Sequence, residues 1–204
     1  LAAGVDNSLT TDTQVNLAGG KWQAGSLSVS AVNNDDLDLD ADSVSAAVLN
    51  ASGTELKNTV KHAAAVNVGS TVTTTGKQSY AAGNAVDHDV DIHGNGYGGI
   101  STNGTVMASD LTYDAAVNLG YTAADKVFHS ADLSGTGTEG SISVLASTDG
   151  VMDYANALKA AGVVPVTVAS STNKLTYDNR VDVTDSVLRT AKEDQDITLA
   201  ATDR

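Results

Sequence analysis

A short phrase of alternating apolar and polar residues returns along this chain at a fixed spacing. Val-Asn-Leu begins at Val15, Val-Asn-Val at Val66 and Val-Asn-Leu at Val117, so two intervals of 51 residues separate the three valines. A looser relative, Val-Asp-Val, begins at Val181. A fixed period of this length is typical of an array in which each unit packs only against its neighbours. The repeat therefore predicts a solenoid.

Other positions keep the same register. Six residues before the four valines the chain carries an apolar residue each time, namely Leu9, Val60, Leu111 and Leu175. Asp36–Asp40 matches Asp87–Asp91, and Leu49 matches Ile100 and Val164. We expect one domain over 1–204, with repeats near 7–57, 58–108 and 109–172, a 13-residue insertion within 120–139, and a partial repeat over 173–204.

Within each repeat the apolar residues alternate with polar ones, which is the pattern of a β-strand. Leu27–Val29, Leu37–Leu39 and Ile142–Val144 are examples, and residues that favour turns follow them closely. We predict an all-β fold, a β-solenoid with about 8 coils of three short strands and roughly 25 residues each. The valines of the phrase should point inward and stack, while the asparagine that follows each valine points outward.

The segment Asp149–Gly162 is ambiguous by local sequence. Its Ala, Leu and Lys residues favour a helix with Asp149 as N-cap and Gly162 as C-cap. The repeat instead aligns Met152–Tyr154 with the strand Leu37–Leu39. We expect the strand, because tertiary context overrides helix propensity.

Composition and charge exclude several classes of function. The 25 Asp and Glu residues against 11 Lys and Arg give a net charge of −14, which disfavours nucleic acid and anionic membrane surfaces as partners. No window approaches the roughly 18 apolar residues of a membrane span. No signal peptide is evident, and the absence of cysteine excludes disulfides and thiolate metal sites. Because residue 1 is Leu, we expect a piece of a longer chain.

Three strand sequences carry a family resemblance. Gly-Ser-Leu-Ser-Val-Ser-Ala from Gly25, Gly-Ser-Ile-Ser-Val-Leu-Ala from Gly140 and Gln-Asp-Ile-Thr-Leu-Ala-Ala from Gln195 resemble the repeat region of large haemagglutinin-like bacterial adhesins, which two-partner or autotransporter routes secrete. The resemblance implies a right-handed parallel β-helix that forms stalk and binding surface at the bacterial cell surface. It also implies host-cell, matrix or glycan surfaces as partners, or self-association through the ends of the solenoid.

Acidic strands are the candidate metal site. The possible calcium ligands are Asp36, Asp38, Asp40, Asp87, Asp89 and Asp91. With coils of about 25 residues, the two groups lie two coils and thus ~10 Å apart, too far to share an ion. The spacing of a calcium-binding loop is also missing. A solvated acidic face, which keeps a long sheet soluble, is the favoured interpretation.

The remaining candidates carry little chemistry. His88 aligns with Leu37 and Met152, so we expect it to be half-buried with one hydrogen bond, and His93 lies in a Gly-rich turn without the features of a phosphate site.

A polysaccharide-active β-helix needs converging carboxylates, cations and aromatic platforms, whereas aromatic residues make up 4% of this chain. We predict a non-enzymatic extracellular adhesin or stalk segment without a cofactor, apart from possible calcium. The alternatives are a self-assembling extracellular structural filament and, less favoured, a polysaccharide-active β-helix enzyme.

Overall fold

The computed structural model describes residues 2–122, 127–128 and 130–204, and these residues form strands without any helix. Most strands are long, and in β2 more buried and more exposed positions alternate along all 20 residues even where the residue types do not. The strands are β1 (Ala2–Ala24), β2 (Leu27–Ala46), β3 (Leu49–Thr74), β4 (Gln78–Tyr97), β5 (Ile100–Leu119), β6 (Tyr121–Thr122), β7 (Val127–Phe128), β8 (Asp132–Gly135), β9 (Ile142–Ala161), β10 (Val164–Val183), β11 (Val187–Thr190) and β12 (Ile197–Asp203).

Two parallel sheets face each other. Sheet A joins β1, β3, β5 and β10, and the short β8 and β11 continue it beyond the end of β5. Sheet B has the order β12-β9-β4-β2. Since the chain alternates between the sheets, one turn takes a strand from each, as in a β-solenoid. The prediction of an all-β chain of parallel strands is confirmed.

The size of the turn differs from the prediction. Val15 pairs with Val66, Val66 with Val117 and Val117 with Val181, so neighbouring strands lie a whole repeat apart. Eight coils of three short strands are therefore not confirmed, and two long strands per 51-residue repeat replace them. The prediction failed because Asn, Asp and Gly inside β2 and β4 were interpreted as turns, whereas they continue the strands.

The core is a narrow layer of small side chains between the sheets. Val66 and Val117 are fully buried, with Val15 and Val181 packed against the same cluster, so the predicted inward stripe of valines is confirmed. The asparagines beside these valines also form a ladder, in which Asn118 donates to Asn67 and Asn67 donates to Asn16. The rest of this core is formed by buried Val, Leu, Ile, Ala and Tyr residues such as Tyr80, Leu119, Leu133, Ile142 and Val144.

The disputed segment is a strand. Met152 of β9 pairs with His88 of β4, which in turn pairs with Leu37 of β2. This is the alignment that the repeat predicts. As a strand, β9 pairs with β4 along its length, which a helix could not do. The interpretation of this segment as a strand is confirmed.

The insertion leaves sheet A at one point and rejoins it. Val68 pairs with Leu119, but the next pairing on the same strand joins Thr71 to Asp132 of β8. Gly120 makes the departure with a positive φ of 82°, and a Cβ there would lie 1.9 Å from the carbonyl oxygen of Thr184. Part of the predicted insertion, residues 123–126 and 129, lies outside the described residues.

Both end turns are partly uncovered. Among the described residues, the edge strand β1 pairs only with β3 and β10 only with β5. In sheet B, β12 pairs with just the first seven residues of β9. Side chains of β10 are exposed or half-buried along its whole length. The search of the described residues for a helix able to span a membrane finds none.

Candidate functional site

An unusual group of polar side chains lies inside the core, near the middle of the long strands. We call Asp35, His62, His88, Tyr113 and Tyr154 the internal polar cluster. Alternation explains why they point inward: Asp35 has the parity of Leu37, and His62 has the parity of Val60 and Val66. All except Tyr154 are at most 3% exposed.

Asp35 is the centre of the cluster. His88 Nε2 lies 2.7 Å from Asp35 Oδ2, and the Tyr113 hydroxyl donates to the same oxygen at 2.9 Å. On its other side, His88 Nδ1 lies 2.9 Å from the Tyr154 hydroxyl. With the imidazole neutral, His88 donates from Nε2 to the carboxylate and accepts from Tyr154 at Nδ1. Three strands of two sheets are thus joined through one carboxylate.

These contacts set the ionisation of the cluster. Burial raises the pKa of Asp35, but hydrogen bonds from His88 and Tyr113, and the charge of a protonated His88 or His62, outweigh burial and hold that pKa below its ordinary value. Burial and the neighbouring Asp35 raise the pKa of Tyr113 well above its ordinary value. Asp35 is therefore a carboxylate at neutral pH, and Tyr113 stays a hydrogen-bond donor.

Several polar atoms of this region lack a hydrogen-bond partner among the described residues. They include Asp35 Oδ1 and both ring nitrogens of His62. His62 Nε2 lies 3.2 Å from Asp35 Oδ2, without the angles of a hydrogen bond. Buried polar atoms are rarely left in this state. Burial raises the pKa of Tyr154, and hydrogen bonds with Asn58 and Ser109 oppose that shift.

The predicted calcium ligands lie elsewhere, on the outer face of sheet B. Asp36, Asp38 and Asp40 pair directly with Asp87, Asp89 and Asp91. They therefore stand on adjacent strands about 4.8 Å apart, and the expected separation of two coils is wrong. Partial loss of hydration and the neighbouring carboxylates raise the pKa of Asp89. The calcium hypothesis itself stays a prediction.

His93 belongs to this acidic face. Its Nδ1 lies 3.7 Å from Asp40 Oδ1 and 3.6 Å from Asp42 Oδ1. These three residues are exposed or half-buried, and their ligand atoms lie within 4.8 Å of one another. The group is a surface ion pair when His93 is protonated, and nothing else in the structure points to a ligand there.

Sequence reasoning found part of the internal polar cluster. His88 was expected to be half-buried with one hydrogen bond, but it is 1% exposed and has three partners, Asp35, Tyr113 and Tyr154. Asp35 is not among the residues singled out from the sequence, although its parity with Leu37 is a signal for the interior. His62 and Tyr113 were missed, and their alternation with Val60 and Leu111 could have found them. The residues that meet across the core could not be read from alternation.

Comparisons of this chain with protein-family models, with curated proteins and with solved structures find no match.

Proposed function

We propose that this chain is a non-enzymatic scaffold: a right-handed β-solenoid segment of an adhesin or stalk at a bacterial cell surface, extended by further coils of the same kind. One observation carries the proposal. In the ladder formed by Leu9, Val60, Leu111 and Leu175, the two central residues are 0% and 1% exposed, whereas Leu9 and Leu175 at the ends are 39% and 42% exposed. The end turns keep the residues of a core but lack one neighbour.

The flat outer faces support the same function. Exposed side chains of sheet B are mainly Ser, Asn, Ala and Asp. The buried carboxylate of Asp35 lies in the core instead. Strands of some 20 residues are about 66 Å long, so each face offers a wide binding surface for a host-cell, matrix or glycan partner. The negative charge of the face disfavours lateral pairing of sheets and keeps the scaffold soluble.

A duplication tests whether the chain is an extendable stack. A second copy of residues 58–108 placed after residue 108 adds one complete repeat in the observed register. We expect cooperative unfolding at a urea midpoint at least equal to that of the original chain, because the added turn is buried on both sides. The matched control duplicates only residues 84–108, which places residues of one sheet in the other. Equal loss of folding in both chains would contradict the proposal.

Adhesion needs its own assay. Beads coated with the original chain should attach to host-cell layers, matrix proteins or glycan arrays, and beads coated with the 84–108 duplication should not. Attachment should require no turnover of the bound glycan. Release of shortened glycan by the chain would instead favour the polysaccharide-active alternative.

The exposed ends also favour a second candidate, a self-assembling filament. If β1 of one copy pairs with β10 of another in the same register, Leu9 meets Leu175 and Val15 meets Val181. Both pairs continue an existing ladder. Negative-stain microscopy at low and high concentration tests this: long fibres of uniform width would favour the filament, and discrete particles would favour the stalk.

A further inference from the structure

The proposed scaffold function depends on the outer faces and the ends of the solenoid, and it gives the internal polar cluster no role. We propose that this cluster binds one divalent first-row transition-metal ion, with Asp35, His62 and His88 as ligands and the Tyr113 hydroxyl as a further oxygen donor. The site goes beyond the proposed function, because it lies between the sheets rather than on a face or an end. Binding pins sheet A to sheet B at the middle of the long strands.

Unsatisfied atoms are the first argument. His62 is 3% exposed, yet both of its ring nitrogens lack hydrogen-bond partners among the described residues. Asp35 Oδ1 is buried and unpaired in the same cluster. Leaving such a buried atom without a partner is unfavourable for folding. One cation between them would satisfy a nitrogen of His62 and an oxygen of Asp35 together.

The distances are the second argument. Asp35 Oδ2 lies 2.7 Å from His88 Nε2, 3.2 Å from His62 Nε2 and 2.9 Å from the Tyr113 hydroxyl. The Tyr113 hydroxyl lies 3.3 Å from His88 Nε2. Ligand atoms about 2.0–2.2 Å from a tetrahedral ion are ~3.3–3.5 Å apart. The ligand atoms of Asp35, His62 and His88 do not all lie within 4.8 Å of one another, so the carboxylate and the two imidazoles must rotate before the four donors surround one ion.

The donor set selects the class of ion. Two imidazoles with one carboxylate suit zinc, iron, cobalt, nickel or copper, whereas calcium and magnesium prefer oxygen ligands alone. Tyr154 contacts the second nitrogen of His88 at 2.9 Å, which fixes the orientation of the ring that a metal would use. The acidic face assigned to calcium has a different donor chemistry and lies on the outside of sheet B.

The position of Asp35 favours entry and retention of a cation. Asp35 is on β2, the edge strand of sheet B, so among the described residues no further strand of that sheet covers the cluster on this side. A hollow of about 210 Å³ is lined by Asp35 together with Asp36, Asp87 and Asp149. The exposed carboxylates of Asp36, Asp87 and Asp149 raise the local concentration of divalent cations. They also offset the positive charge that an ion bound by a single carboxylate retains.

Metal titration of the full chain tests the site. After treatment with a chelator, the folded chain should bind one equivalent of Co²⁺ with the visible absorption of a four- or five-coordinate ion, and Zn²⁺ should displace it. His62→Gln should weaken binding by more than about 100-fold, since even loss of an outer partner costs roughly 10–100-fold. His93→Gln is the matched control on the acidic face, and its affinity should equal that of the original chain.

Three outcomes would overturn the site. They are the absence of saturable binding to the folded chain, unchanged affinity in His62→Gln, and loss of binding in His93→Gln. If His62→Gln does not fold, ¹⁵N spectra of the histidine rings in the original chain decide instead. Zn²⁺ should then shift the ring nitrogens of His62 and His88 and leave those of His93 in place, and the reverse pattern would refute the assignment.

Discussion

The pairing of Asp35 with His88 gives a prediction that the chain's own repeats help to design. At the position of His88 the next strand carries Met152, and at the position of Asp35 its neighbour on β4 is Val86. His88→Met alone leaves the Asp35 carboxylate buried without its closest partner. The double variant Asp35→Val with His88→Met replaces both polar groups by side chains that the core already holds at these registers.

The magnitudes follow from burial. Removing one partner of a buried charged pair costs about 3–5 kcal/mol, and the remaining hydrogen bond from Tyr113 places His88→Met near ~3 kcal/mol. Replacing both partners by apolar residues of similar volume removes the buried charge, but the Tyr113 and Tyr154 hydroxyls then lose their partners in the cluster, so the double variant should lie about 1–3 kcal/mol below the original chain.

Urea unfolding monitored by far-ultraviolet circular dichroism at neutral pH, with a chelator present, measures both variants. A His88→Met chain within about 0.5 kcal/mol of the original would refute the reasoning, because a surface substitution has an effect of that size. A double variant less stable than His88→Met would refute it as well. Either result would mean that the carboxylate of Asp35 does not depend on His88 in the folded chain.

The same cluster has a defined dependence on pH. The pKa of Asp35 in the folded chain lies below its ordinary value of 3.8. The stability that its ionised form contributes is therefore complete above about pH 4–5, and is lost as the pH falls through the lower folded value. Asp35→Asn should accordingly lose stability relative to the original chain at neutral pH, and the difference should shrink in acid. A difference that grows below pH 4 would contradict this.

Three further tests, which use five substitutions, examine packing, a corner and the acidic face by urea or thermal unfolding. Leu111→Ala should cost about 2–5 kcal/mol, whereas Leu175→Ala at the same register of the end turn should cost less than about 1 kcal/mol, and equal costs would refute the burial argument. Gly98→Ala places a Cβ 2.0 Å from a backbone carbonyl of the preceding turn and should destabilise by at least about 1–3 kcal/mol, while Gly25→Ala, with nothing within 4 Å, should not. Asp89→Asn should stabilise the chain above the raised pKa of Asp89 and less so at high salt, and a loss of stability at low salt would contradict the repulsion.

The sequence predicted what depends on period and parity. The valine stripe and the alignment of His88 with Leu37 and Met152 follow from the fixed spacing, and the structure confirms them. The length of a turn could not be predicted, because polar residues inside strands resemble turn residues when their partners are unknown. Asn33, for example, lies within β2, where it donates to Asn84 at 3.0 Å and is satisfied inside the core.

The internal polar cluster shows the second limit. Parity places Asp35 and His62 in the interior, but they lie on different sheets. Their meeting depends on how the two sheets are shifted along each other, and neither strand encodes that shift alone. The orphan nitrogens of His62 become visible only once the neighbours across the core are known.

The pairing of strands a whole repeat apart has a consequence for how the chain folds. Apart from the short antiparallel pair β6–β7, the strand pairs of the described residues are parallel, and the first of them joins Ala2 to Gly53. Closing a loop of that length costs about 3.5 kcal/mol of chain entropy before any contact repays it. Proteins dominated by such distant contacts fold slowly. Formation of the first complete turn should therefore limit the folding rate. Each later turn should then form quickly, because its strands pair with the edge of a turn that is already folded.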